Sequence, residues 1–173
     1  GISITPINTL GDVRTNATFY DNVVVSNKFL IGKKNKGWEL ITSQLNRERL
    51  SLVNNAPLEK ILTDVINWAK ETTTDNGNKL IEEDWVQNNL AKVQTGTEAL
   101  KLLCWKQAWA MTKNELNMAD ASVAKVYGSE FFIEAYRLLM EVLGEQSLLS
   151  QKSEQNVLEG RLEMLYRVSS ILT

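Results

Sequence analysis

The sequence predicts a mainly α fold: an antiparallel four-helix bundle preceded by a few β-strands. Three observations lead there. Period-two alternation and β-branched runs are concentrated in the first 32 positions. From Gly37 onward, apolar residues recur instead at steps of three and four. The helical stretches are separated by short breaks, which places successive helices antiparallel and side by side.

Taken in order, Ile2, Ile4 and the run TFYDNVVV (18–25) carry the strand signal, with turns at Gly11-Asp12 and Asn27-Lys28. Two or three strands do not make a stable sheet alone. The chain also opens in mid-strand without Met, so residues 1–32 are expected to end a β-domain whose remainder lies elsewhere. Residues 33–173 are expected to form the helical domain, truncated at its end.

The first helix is predicted over about 37–71. Pro57 lacks an N–H and strains the turn before it, so a kink or break is expected near 55. TTTDNGN (72–78) reads as a loop. The second helix spans about 80–116, with Val93, Leu100, Leu103, Gln107 and Met111 on one face. The third starts after Asp120 as N-cap and stops at Gly144. Its apolar stripe is Val123, Val126, Tyr127, Leu138, Leu139 and Val142. The fourth opens near Ser153 and directs Leu158, Leu162, Leu165 and Leu172 one way.

Composition excludes several classes of function. With 19 basic and 21 acidic residues interspersed, the chain lacks the basic footprint of a nucleic-acid binder. Histidine is absent, which removes Ser-His-Asp and Cys-His catalysis and His-ligated zinc. The one cysteine, Cys104, fits a reducing, cytoplasmic setting and is expected to be buried beside Leu103 and Trp105. No run approaches the roughly 18 apolar residues of a membrane span. Lys28, Lys33, Lys34 and Lys36 form a basic turn, either solvated or facing a phosphate-rich ligand. Trp105 and Trp109, one turn apart, are expected to pack rather than stack on a cofactor.

One residue breaks the pattern. Trp38, Ile41, Leu45, Glu48 and Leu52 follow one another in steps of three and four, so a carboxylate sits in an apolar row. No lysine or arginine stands three or four residues from it. If that row is buried, desolvation raises the carboxylate's pKa and makes it a good general base. The alternative places Glu48 at the edge of the row in a salt bridge. Arg47 and Arg49 flank it, poised for a carboxylate on another segment, for an anionic ligand, or for solvent.

Taken together, NATFYDNVVV and NKFLIGKKNKGWELITSQLNRERLSL resemble the acyl-CoA dehydrogenase family. The family phrase F-D-D-V-x-V-P-x-x-N-x-[LIV]-G-x-x-x-x-G-[WF], followed by a helix bearing E-R, is matched in order. Its counterparts are Phe19-Tyr20-Asp21-Asn22-Val23, Asn27, Ile31-Gly32, Gly37-Trp38 and Glu48-Arg49. GISITPI resembles the preceding strand, and ASVAKVYGSEFFIEAYRLLMEVLG the third helix of the C-terminal domain.

The resemblance implies α,β-dehydrogenation of an acyl-CoA thioester with FAD as cofactor of the full-length protein. It also implies homo- or hetero-oligomers formed through the helical domain. The general base would be Glu48, at one of the family's two addresses, and Arg49 a substrate-binding residue. TTTDNGN stands where the family's R-x-x-F-G contacts the flavin of a neighbouring subunit. The expected roles are therefore a flavoenzyme fragment inactive by itself, a non-catalytic FAD-poor partner of a heteromeric dehydrogenase, or a helical interaction module.

Overall fold

The computed structural model describes residues 1–113, 115 and 117–171, and their side chains except those of Asn46, Arg47 and Leu50. It opens with an antiparallel hairpin, β1 (Ile2–Asn8) and β2 (Arg14–Tyr20), in register from Ile2 opposite Tyr20 to Asn8 opposite Arg14. The turn between them holds Asp12 in the left-handed region at φ 58°. The second strand stops short of the predicted run: Asn22 turns at φ 49°, and Val23, Val24 and Val25 are irregular. The expected turn at Asn27-Lys28 is a short 3-10 helix capped by Ser26.

Five α-helices follow: α1 (Gly37–Leu52), α2 (Ala56–Glu71), α3 (Asp84–Thr112), α4 (Met118–Leu143) and α5 (Arg161–Ser169). The predicted first helix is thus two, divided where Pro57 requires. Proline is tolerated in the first turn of α2, and Asn54 Oδ1 accepts from Ala56 N (2.9 Å) at the corner. The second predicted helix begins a turn late, after a 3-10 turn at Leu80–Glu82.

Asn117, not Asp120, caps α4: its Oδ1 accepts from Ala119 N at 2.8 Å, while Asp120 lies in the first turn. Gly144 ends α4 at φ 63°, as expected. The last helix starts at Arg161 rather than near Ser153, because Leu158, Glu159 and Gly160 form a left-handed turn at φ 52°, 59° and 62°. A β-carbon at position 160 would lie 2.4 Å from Gln151 N, so only glycine allows that fold-back.

Helix α4 is central and packs against α1, α2, α3 and α5. The core joins Leu58, Ile61 and Val65 of α2, Val93 and Leu100 of α3, Phe132, Leu139 and Val142 of α4, and Leu162 of α5. Leu172 lies outside the described residues, as does Leu116 at the predicted end of the second helix. In the first half of α4 the buried side is Ala121, Ala124 and Gly128, and the predicted core residues Val123 and Val126 are exposed. Small residues there let neighbours approach closely, a β-carbon on Gly128 standing 2.6 Å from Val53 Cβ, and beside them Tyr127 Oη donates to Gly96 O of α3 at 3.1 Å. Met111 is exposed as well, whereas Gln107, on the same predicted face, is buried. Trp105 and Trp109 do not pack inward; each is 61% exposed, with the Lys101 ammonium 5.5 Å from the Trp105 ring.

The hairpin joins the bundle through Arg167 of α5. Its guanidinium donates to Leu10 O (2.5 Å) and Asp12 Oδ2 (3.0 Å), and Gly11 lies against Val168 and Ile171. Both faces of the hairpin are otherwise exposed, Ile2, Ile4, Ile7 and Phe19 included.

Candidate active site

Helix α1 carries the candidate residues. One flank of it meets α4, where Arg49, half-buried, donates from Nη1 to Ser122 Oγ at 2.9 Å. Ser122 Oγ in turn donates to Met118 O at 2.9 Å. Another flank is open and forms a groove of about 600 Å³ lined by Leu40, Ser43, Gln44, Glu48 and Ser51. Positions 40, 44, 48 and 51 follow helical steps, so one face of α1 makes this wall.

The apolar row is not buried. Trp38 is 78% exposed, Ile41, Leu45 and Leu52 are exposed too, and Glu48 lies among them with its carboxylate open. The sequence pattern registers a face built to be covered; within this chain nothing described covers it. Among the described residues, Glu48's carboxylate has no ion pair and no hydrogen bond, so the salt-bridge alternative finds no partner there. The helix holds the residue through its backbone, with Ser51 Oγ donating to Glu48 O at 2.8 Å.

Past Ser51 lies a second cavity of about 270 Å³, lined by Ser51, Leu52, Asn54, Pro57, Phe132, Tyr136, Leu165, Val168 and Ser169. Ser51 belongs to both cavities. Tyr136 is 3% exposed and stacks on Phe132 with ring centroids 6.0 Å apart. Burial pushes its phenol up to about 12, so it remains a neutral donor. Periodicity alone does not reveal this cavity; its one sequence trace is the Phe132–Tyr136 pair at i and i+4.

Arg49 lines neither cavity: its guanidinium faces α4. Arg47's side chain lies outside the described set. The basic turn divides among surface contacts, with Lys36 Nζ on Glu39 Oε1 at 2.5 Å and Lys28 over the Phe29 ring at 5.0 Å; Lys33 and Lys34 are exposed. Cys104 is half-buried, its Sγ 3.5 Å from Val53 O, and burial pushes its thiol up, away from nucleophilic reactivity. Among the described residues no cluster of acidic or cysteine side chains could hold a metal, and no helix is long and apolar enough to cross a membrane.

The segment in place of R-x-x-F-G does not fit a flavin contact of that kind. Residues 72–79 close on themselves through a Thr73–Lys79 bridge, with Gly77 at φ 85°. The cation there, Lys79, already donates from Nζ to Glu71 O (2.9 Å) and Thr73 Oγ1 (3.3 Å).

A bundle of this topology, with an E-R pair on its first helix and a carboxylate in an open groove, invites comparison with known proteins. Residues 35–173 match the family model described as acyl-CoA dehydrogenase, C-terminal domain. The chain belongs to the acyl-CoA dehydrogenase family. Across its whole length it is 44% identical to the acyl-CoA dehydrogenase FadE26 of Mycobacterium tuberculosis, of which it covers 44%. The ChsE4-ChsE5 complex of the same organism superimposes on all of the chain with TM-score 0.91 at 45% identity, covering 45% of the solved chain. The Tcur3481-Tcur3483 steroid ACAD does so with TM-score 0.92 at 36% identity, covering 44% of its chain. The chain therefore spans less than half the length of these acyl-CoA dehydrogenases. Residues 35–173 have the fold of the family's helical C-terminal domain, and the superposition extends over the hairpin.

Proposed function

We propose that this chain is part of an enzyme that introduces an α,β double bond into an acyl-CoA thioester, with Glu48 as general base. The observation that carries the reading is the open carboxylate of Glu48 on the wall of the α1 groove, unpaired among the described residues. Thioester α-protons are weakly acidic, so a base must lie within hydrogen-bond reach of the α-carbon. A carboxylate not committed to an ion pair is free to accept that proton. The electron pair released at Cα moves toward Cβ, whose hydride needs an acceptor; the family resemblance names FAD for it.

In this reading, residues 1–32 end a middle β-domain that covers the exposed face of α1, and residues 33–173 form the C-terminal helical domain. Binding of the thioester beneath that cover would shut water out from around Glu48 and the α-carbon. The apolar cavity beyond Ser51 suits a bulky acyl body, in keeping with the steroid enzyme among the similar structures.

A second reading shares the fold and differs in the cofactor. The self-closed 72–79 segment favours a chain that pairs with a flavin-bearing partner and holds little FAD through its own residues. Two of the similar structures are two-protein assemblies, which supports heteromeric association.

The test uses the full-length protein purified with any partner that accompanies it. Glu48→Gln should lower acyl-CoA-dependent dye reduction by about 10²–10⁴-fold while flavin content stays unchanged. Retention of full activity would sink the assignment of Glu48. Flavin stoichiometry separates the two readings: one FAD per copy of this chain supports the first, and FAD only with the partner the second.

A further inference from the structure

We propose that Arg49 is a positioning residue: through its hydrogen bond to Ser122 it fixes the rotation of α1 and thereby the direction in which Glu48 faces. The proposal rests on the reading of Glu48 as base. Arg49 and Glu48 are adjacent on α1, about 100° apart around its axis. Arg49 is half-buried against α4, whereas Glu48 faces the groove.

Three features make this contact a rotational stop. First, Arg49 Nη1 meets Ser122 Oγ at 2.9 Å across 73 residues of sequence, in a part-buried setting. Second, the acceptor is itself fixed, because Ser122 Oγ donates to Met118 O of its own helix at 2.9 Å. Third, among the described side chains of α1, few others hold its phase. Of the five helices, α4 is its principal packing partner, and the rest of its apolar row is exposed. At the C-terminal end Val53 is buried near Gly128. Arg49 and Val53 are one turn apart, so together they define a line of contact along α4. Among the described side chains, releasing Arg49 removes one of the two contacts with α4 established for this end of the helix, Val53 being the other. A roll of 20–30° about α1 would displace a carboxylate several bonds from the axis by an ångström or more, enough to spoil proton transfer.

The alternative role for Arg49, direct contact with an anionic part of the substrate, would need its guanidinium in the groove. It lines neither the groove nor the cavity beyond it.

The test is steady-state kinetics of the full-length protein with its co-purifying partner, using an acyl-CoA that the wild type turns over. Ser122→Ala should lower kcat about tenfold or more with KM within twofold, and Ser122→Thr, which keeps the hydroxyl, should restore it. Arg49→Gln should lower kcat similarly, and the double variant should be no worse than Arg49→Gln alone, because both changes remove one contact. Thermal midpoint and flavin content are read alongside. A raised KM at normal kcat in Arg49→Gln, with Ser122→Ala unaffected, would overturn the proposal in favour of substrate binding. Equal loss of kcat in Ser122→Ala and Ser122→Thr, accompanied by a lowered midpoint, would overturn it in favour of a purely structural role. Failure of the Glu48 assignment reads out separately, as a fully active Glu48→Gln.

Discussion

Gly128 of α4 lies so close to Val53 at the α1–α2 corner that a β-carbon built on it would stand 2.6 Å from Val53 Cβ and 3.1 Å from Leu100 Cδ1. Val53 is fully buried and is not the flexible end of a long side chain, so it cannot swing away. Gly128→Ala gains about 1 kcal/mol of helix propensity in the middle of α4. The forced separation of α1 and α4 should outweigh that gain, leaving a net loss of about 1–3 kcal/mol. Urea denaturation of the variant should show a lowered midpoint with an unchanged slope. A midpoint equal to or above the parent's would mean that the corner yields freely.

The same contact marks what could be read from the sequence and what could not. The helical segments, the break at Pro57 and the stop at Gly144 follow from local chemistry: a missing N–H, an available left-handed conformation, a run of periodic apolar residues. The phase of the second half of α4 followed too, with Leu138, Leu139 and Val142 buried, but that of its first half did not. Hydrophobic periodicity gives weight to Val123 and Val126, yet the close approach of α1 and α3 selects Ala121, Ala124 and Gly128 for the buried side. Close packing is satisfied by smallness as well as by apolarity, and a hydropathy pattern does not register smallness. Glu48 was legible as a misfit because an isolated carboxylate in an apolar row is conspicuous in one dimension. Its groove was not, since nothing described in this chain covers the row and periodicity does not show an open wall. Ser122 gave no signal, because the Arg49 contact spans 73 positions.

Tyr136 gives the molecule an alkaline liability with a definite sign. An unfolded tyrosine gives up its proton near 10, whereas burial holds the folded phenol to about 12. Between those values the unfolded chain binds fewer protons than the folded one, so stability falls as pH rises. Below the unfolded value the effect is absent. The slope approaches about 1.4 kcal/mol per pH unit, and the full loss is of order 2–3 kcal/mol. Tyr136→Phe removes this contribution and keeps the stack on Phe132. Comparing denaturation at about pH 9 and about pH 11.5, the variant should lose less stability than the parent. Equal losses would show that the phenol reaches water in the folded state.

Trp105 and Trp109 lie together on the side of α3 opposite its buried residues Val93, Leu100 and Gln107. Neither contributes to the core, so two exposed indoles one turn apart are a poor arrangement for an isolated chain and a good one for an interface. If the family's association runs through this side of α3, Trp105→Glu and Trp109→Glu should each weaken assembly of the full-length protein by about 30-fold or more, the effect of losing a tryptophan hot spot. Folding stability should change by no more than about 0.5 kcal/mol, because no core contact is lost. Sedimentation over a concentration series reads the first effect, and urea denaturation of the dissociated chain the second. An unchanged sedimenting mass in both variants would place the interface elsewhere on the bundle. A lower mass with unchanged stability would assign these two side chains to the assembly rather than to the fold.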